Sequence, residues 1–250
     1  MKPDHANRPV PARPGRRLAL LGIALLAASP ACRSGGDDGD RMTLAEASTE
    51  VTFASVEKLG PHHMVAMVER TDRRDTGEEH VFDELIELSW QDWDNFHVKR
   101  VVDGTTTRET IVADGRPWVR VGDRWEERDD AEPHRVQLRT TWNVWDAALG
   151  PFLDHITLEE TGKDIVEGRP ARTFQVVMKP EEQRPRPKRW GFQPQRIEGT
   201  VWLDAATAVR VKASVVATSR RQDVLRTVRL QLQRSDIGQD QDIRAPLAVP

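Results

Sequence analysis

Among the side chains able to do chemistry, Cys32 stands apart because it is the only cysteine in 250 residues. A lone thiol has no partner for an internal disulfide, so its use is as a nucleophile or an attachment point. The histidines offer less. His62, His63, His80 and His97 lie in segments that alternate like strands, and adjacent strand residues point to opposite faces, so at most one of the first two can join a cluster. The paired acids Glu78-Glu79, Glu126-Glu127 and Glu159-Glu160 read as solvated strand ends and turns. The chain carries no Gly-x-Ser-x-Gly, no His-Glu-x-x-His, no P-loop and no dinucleotide-binding glycine pattern. No catalytic residue, metal ligand or cofactor site is assigned, and the chain reads as a non-enzyme.

What precedes Cys32 is built like an export signal. Lys2, Arg8, Arg13, Arg16 and Arg17 form a cationic head, Leu18 to Ala31 is an unbroken apolar run, and small residues stand just before the cysteine. The run is too short to span a bilayer and lacks the polar face of a core helix. Ser29-Pro30-Ala31-Cys32 resembles the signal of bacterial lipoproteins, although Ser29 stands where that family usually has Leu. The resemblance implies cleavage ahead of Cys32 and lipidation of its thiol, and two or more acyl chains on one residue anchor it durably. Arg33, in place of an inner-membrane retention Asp, implies the outer membrane, with the body facing the periplasm. The expected division is a signal peptide over 1–31, a lipidated cysteine and flexible tether over 32–41, and one β-rich domain over 42–250. The tether, Arg33-Ser-Gly-Gly-Asp-Asp-Gly-Asp-Arg41, is a coil with a reach of about 15–18 Å.

Composition narrows the partners. With 38% apolar and 31% charged residues the body is apolar enough to fold. The whole chain carries −3, and residues 1–32 hold five basic residues and one acidic one, which leaves the rest at −7. A net acidic body argues against nucleic-acid binding.

Period-two alternation predicts antiparallel strands from about Val51 to Asp130 and from Ile156 to Asp236. In Val209 to Thr218 the odd positions are apolar, while Arg210, Lys212, Ser214 and Thr218 form a wet face. Phe96 and Val98, Phe174 and Val176, and Val228, Leu230 and Leu232 repeat that pattern, and Gly122-Asp123 supplies a hairpin turn. One segment departs from it. His134 to Leu149 places Leu138, Trp142, Trp145 and Leu149 on one stripe of a helix closed by Gly150-Pro151. Pro180 to Pro194 is too rich in proline for a strand, and its Arg184, Arg186, Lys188, Arg189, Trp190 and Phe192 make either a solvated loop or a basic, aromatic tip for anionic headgroups.

The segments Asp164 to Met178, containing Gly168-Arg169-Pro170-Ala171, and Gly199 to Lys212, containing Trp202-Leu203-Asp204-Ala205-Ala206-Thr207, precede a closing strand over Val228 to Gly238. Together they resemble the half-barrel periplasmic carriers of the LolA, LolB and LppX type, and within them lipoproteins of myxobacterial type. Ala208 departs from the family turn, which prefers Gly, and a left-handed conformation there would cost about 1–2 kcal/mol. The resemblance implies a mainly β fold, an antiparallel curved sheet forming a half-barrel with one amphipathic helix on its concave side. It carries over no ligand-contact residue.

The pattern places Leu138, Trp142, Trp145 and Leu149 of the helix opposite Phe96, Val98, Phe174 and Val176 of the strands, as candidate contacts for lipid or lipoprotein acyl chains in an apolar trough. The same residues, with Trp90, Trp118, Trp125 and Trp202, fit a filled core equally. Three functions follow: a lipid-anchored acyl-chain carrier, an envelope lipoprotein with a dry core and a protein partner, or an enzyme without a recognised motif. A trough of about 300 Å³ or more favours the first and close packing the second.

Overall fold

The computed structural model describes residues 53–186 and 191–246. The expected signal, Cys32 and its tether lie outside the described residues, as do Lys188, Arg189 and Trp190. Eleven strands form one antiparallel sheet: β1 (His62–Arg74), β2 (Glu79–Asp92), β3 (Asn95–Val102), β4 (Thr105–Ala113), β5 (Arg116–Val121), β6 (Arg124–Glu127), β7 (Ile156–Val166), β8 (Arg169–Met178), β9 (Gln193–Asp204), β10 (Arg210–Arg221) and β11 (Val224–Ser235). Their order is β6-β5-β4-β3-β2-β1-β11-β10-β9-β8-β7. Each half is a run of hairpins, and the first and last strands pair in the middle, with Met64 opposite Arg234 and Arg70 opposite Val228. The sheet curves without closing, so the fold is the half-barrel that the sequence implied.

This topology dictates where the helices go. The chain leaves the sheet at one edge, β6, and re-enters at the other, β7, so the residues between must cross the sheet. They do so as α2 (Glu132–Trp142), α3 (Val144–Leu149) and a 3-10 turn over Gly150–His155. The single helix expected from His134 to Leu149 is thus two, because Asn143 leaves the helical region at φ −90, ψ 31. Pro133 at the first turn starts α2 slightly earlier than the apolar stripe suggested. Gly150-Pro151 tightens the chain instead of ending it, and the 3-10 turn buries Phe152. Among the described residues no helix is long and apolar enough to cross a membrane.

Two further departures have local causes. Strand was expected from about Val51, but Phe53–Leu59 is a helix, α1, which buries Val56 and Leu59 and ends on Gly60 at φ 86. A glycine there takes the left-handed C-terminal position at no steric cost. Arg210, expected on the wet face of β10, is buried. A bulge sets Arg210 opposite Leu203 and Lys212 opposite Trp202, and the extra residue rotates Arg210 inward. The rest of that strand keeps its phase, with Val211, Ala213, Val215 and Ala217 all buried.

The two sequence motifs near the C-terminus meet in one turn. Ala208 is left-handed at φ 59. Asp204 is buried, and its Oδ1 accepts hydrogen bonds from the backbone N–H of Ala206 (3.1 Å) and Thr207 (2.8 Å) and from the Thr207 hydroxyl (2.9 Å). Its Oδ2 accepts from Arg169 Nε at 2.8 Å. Burial alone raises the Asp204 carboxyl, but the bonds from Arg169 and Thr207 outweigh it and hold the group below its ordinary range. The motif residues therefore do structural work. Gly199 on β9 does too: a Cβ there falls 2.3 Å from the Ser214 carbonyl oxygen, at a φ of 154.

Candidate ligand site

The inner face of the sheet has two ends of different character. At the first, His62, Trp90, Phe96, Arg210 and Arg234 converge on the aromatic stripe of the helices. Trp142 packs edge-on against Trp90 at 5.4 Å and Trp93 at 5.3 Å, and the Arg210 guanidinium lies 4.9 Å from the centre of the Trp145 ring. Arg234, fully buried, donates from Nη1 to the Arg210 carbonyl, and its Nε and Nη2 have no hydrogen-bond partner among the described residues. Burial, then the neighbouring Arg210 charge, push the Arg234 guanidinium down to about 9. His62 bonds the Gly60 carbonyl through Nδ1 at 2.9 Å, and burial with the Arg234 charge pushes its imidazole down to about 3. This end is filled by large buried side chains, Trp142, Trp145, Phe96, Arg210 and Arg234 among them.

At the other end the same faces of the same strands enclose a cavity of about 400 Å³. Its apolar lining comes from Val68 (β1), Ile86 (β2), Val98 (β3) and Val228 (β11), with Val144 and Phe152 across from the strands. The helix contributes a second flank, Gln137, Thr140, Thr141, Ala147 and Ala148, whose side chains are short or polar and leave the space open. The rim is charged. Arg70, Arg100, Arg108 and Arg226 line it against one carboxylate, Glu84. Arg100 pairs with Glu84, and Arg226 is gripped by Asp72 through two bonds of 2.7 Å. Phe192, from the proline-rich connection, sits under Arg226 at 3.9 Å, so this connection reaches the cavity's edge. The described residues of that connection include a short 3-10 turn at Glu181–Gln183, and β9 begins at Gln193, one residue before Pro194.

Of the expected ligand contacts, Val98 lines the cavity. Leu138, Trp142, Trp145, Leu149, Phe96, Phe174 and Val176 are buried in the core cluster. Of the tryptophans open to either reading, Trp90 and Trp118 are buried as well, and none lines the cavity. The rim arginines escaped notice, although a signal existed. Met64, Ala66 and Val68 are in phase with Arg70, and Val228 with Arg226, so extending the inward phase to the strand ends reaches them.

The outer face holds the remaining chemistry. His62 and His63 point to opposite faces, as strand geometry requires. His63 Nδ1 lies 3.0 Å from the Ser89 hydroxyl, and His97, directly opposite Ser89 in the register, hydrogen-bonds Glu109 at 3.1 Å. Arg120 reaches the other Glu109 oxygen at 2.9 Å. Burial raises the Glu109 carboxyl, but the bonds from Arg120 and His97 outweigh that and keep it below its ordinary range. His80 lies far along β2, opposite Asp72. Among the described residues no group of three His, Cys, Asp or Glu is placed to hold a metal ion.

No family model matches the chain, and no curated protein is similar to it. Solved structures are. Lipoprotein LppX of Mycobacterium tuberculosis is similar at 14% identity and a TM-score of 0.34, over 80% of this chain and 97% of that one. LprF of Mycobacterium bovis is similar at 14% and 0.34, over 77% and 92%. A LolA superfamily protein of Nitrosomonas europaea is similar at 8% and 0.23, over 76% and 91%. Nothing about the cavity's chemistry follows from these likenesses.

Proposed function

We propose that this chain is a lipid-anchored cell-envelope protein that holds an acyl chain, of a lipid or a lipoprotein, in the cavity between its helices and the inner face of the half-barrel. The observation that carries this is the 400 Å³ cavity with an apolar floor and a charged rim. The volume lies in the range of small-molecule sites and well above a packing defect. An extended hydrocarbon entering at the rim lies on Val68, Ile86, Val98 and Phe152, and each buried methylene contributes about 0.8 kcal/mol. The dry-core alternative describes the tryptophan end and not this one.

Titration of the purified domain with a fluorescent fatty acid tests the reading, together with mass spectrometry of material extracted from the native protein. Saturable binding and a co-purified acyl compound are expected; their joint absence overturns it. The anchor is proposed at Cys32, placing the body at the periplasmic side of the outer membrane. Cys32→Ser is expected to move the protein from the detergent phase to the aqueous phase. Aqueous partitioning of the wild type overturns the anchor alone.

A further inference from the structure

We propose that the acyl ligand carries an anionic headgroup, a carboxylate or a phosphate, and that Arg70 and Arg108 recognise it at the cavity mouth. This rests on the acyl-chain reading and narrows it. Four guanidinium groups line the mouth, and two are already spoken for: Arg100 by Glu84 and Arg226 by Asp72. Arg70 and Arg108 make no hydrogen bond and no ion pair among the described residues; the Arg70 charge acts on Asp72, but that carboxylate is already tied to Arg226 by two bonds. Arg108 is also placed against its own interest. In the β3–β4 register it stands directly opposite Arg100, and like charges so placed are destabilising. Glu84 answers one of the two charges and leaves the other.

Arg70 is held differently. Its guanidinium lies over the Phe82 ring at 4.6 Å, and Phe82 lines the same cavity. A guanidinium stacked on a ring is oriented and partly stripped of water, which strengthens its attraction for an anion. Three strand spacings of about 4.8 Å separate β1 from β4, and Arg108, level with Arg100, Ile86 and Ala66, is also four residues along the strands from Arg70, so the two long side chains approach the mouth from different strands and different levels. Between them lies Arg100, whose charge also favours an anion. A headgroup seated there has an apolar wall beside it for the hydrocarbon: Val68 is two residues along β1 from Arg70, Val98 is two along β3 from Arg100, and Ile86 is level with Arg100 and Arg108. A neutral headgroup leaves both arginines as they are, whereas an anion supplies the missing partner and relieves the repulsion between Arg100 and Arg108.

The test compares four palmitoyl compounds that share one tail: palmitic acid, palmitoyl lysophosphatidic acid, palmitoyl lysophosphatidylcholine and palmitoyl glycerol. Each is titrated against the wild type, Arg70→Gln, Arg108→Gln, the double variant and an Arg124→Gln control on the β5–β6 hairpin. The acid and the lysophosphatidic acid are expected to bind the wild type about tenfold or more tightly than palmitoyl glycerol, the worth of one hydrogen bond to a charged group. The double variant is expected to lose that preference while binding palmitoyl glycerol as before, and added salt is expected to weaken only the anionic ligands. Comparison of acid with lysophosphatidic acid tells carboxylate from phosphate. Thermal unfolding supplies the control for a structural role: Arg108→Gln is expected to leave Tm unchanged or raise it. Equal binding of neutral and anionic compounds, or a preference that survives in the double variant, overturns the headgroup assignment and leaves the acyl-chain reading standing. If no palmitoyl compound binds, both fall.

Discussion

The two ends of the inner sheet face differ less in residue type than in what the helices lay over them. Both are rich in arginine, and both draw on the central strands β1, β2, β3, β10 and β11, with β4 adding Arg108 to the open end. At the closed end the helices present Trp142 and Trp145, Arg210 is buried against the Trp145 ring, and Arg234 is buried beside Arg210. At the open end they present Thr140, Thr141, Ala147 and Ala148, and the arginines stay at a solvated rim. Side-chain volume on one short helical segment thus decides which half of the trough is core and which is cavity. Packing against a curved sheet leaves space wherever the covering residue is small.

Substitutions at each end put this contrast to the test. Trp142→Ala is expected to cost about 3–5 kcal/mol in urea unfolding, the range for a well-packed core aromatic, with little change in fatty-acid affinity. A small loss joined to a change in affinity would show that the cavity extends to the tryptophans. Arg234→Met, in the same filled region, is expected to go the other way. Removing a buried cation that lies beside another cation, and filling its place with an apolar chain, stabilises by about 1–4 kcal/mol. A loss of that size would reveal a countercharge for Arg234.

His62 gives the closed end a pH signature. Its pKa is 6.5 unfolded and about 3 folded, so the unfolded state binds the extra proton between those limits. Stability is therefore expected to fall as pH drops below about 6.5 and to go on falling toward 3. Between pH 7 and pH 5 this group alone accounts for about 2 kcal/mol. Urea unfolding at both pH values measures it, and His62→Asn is expected to show a drop smaller by that amount. An identical pH slope in the variant would mean that the imidazole is solvated.

Much of this architecture is legible without coordinates. Alternation in Val209 to Thr218 and Val228 to Leu232 marks the buried face, and the stripe Leu138, Trp142, Trp145, Leu149 marks a covering helix, because both periods are local properties of the backbone. The left-handed Ala208 is likewise local. The inward turn of Arg210 is not, since a bulge depends on how β9 pairs with β10. The break at Asn143 also escapes periodicity, because the stripe stays in phase across it. The cavity escapes for a deeper reason. Large apolar residues announce burial, so they drew the expected ligand contacts toward the filled core, whereas the void follows from short covering residues, Thr140, Thr141, Ala147 and Ala148, across a distance that the sequence does not state.

The smallest expected effect on stability is also the most discriminating. Enlarging a buried alanine in a filled core forces neighbours off their rotamers and costs about 1–3 kcal/mol. Ala213→Leu, on the buried face of β10, is expected to behave so. Ala148 faces the cavity, where a leucine meets space, and Ala148→Leu is expected to change stability by no more than about 0.5 kcal/mol. The added side chain occupies volume that the ligand needs, so fatty-acid affinity is expected to fall while the fold is untouched. Paired urea unfolding and fluorescent acyl-chain titration on the two variants read both quantities. If Ala148→Leu costs as much as Ala213→Leu, the open end is packed like the closed one. If it costs nothing and affinity is also unchanged, the acyl chain lies somewhere other than between these helices and the sheet.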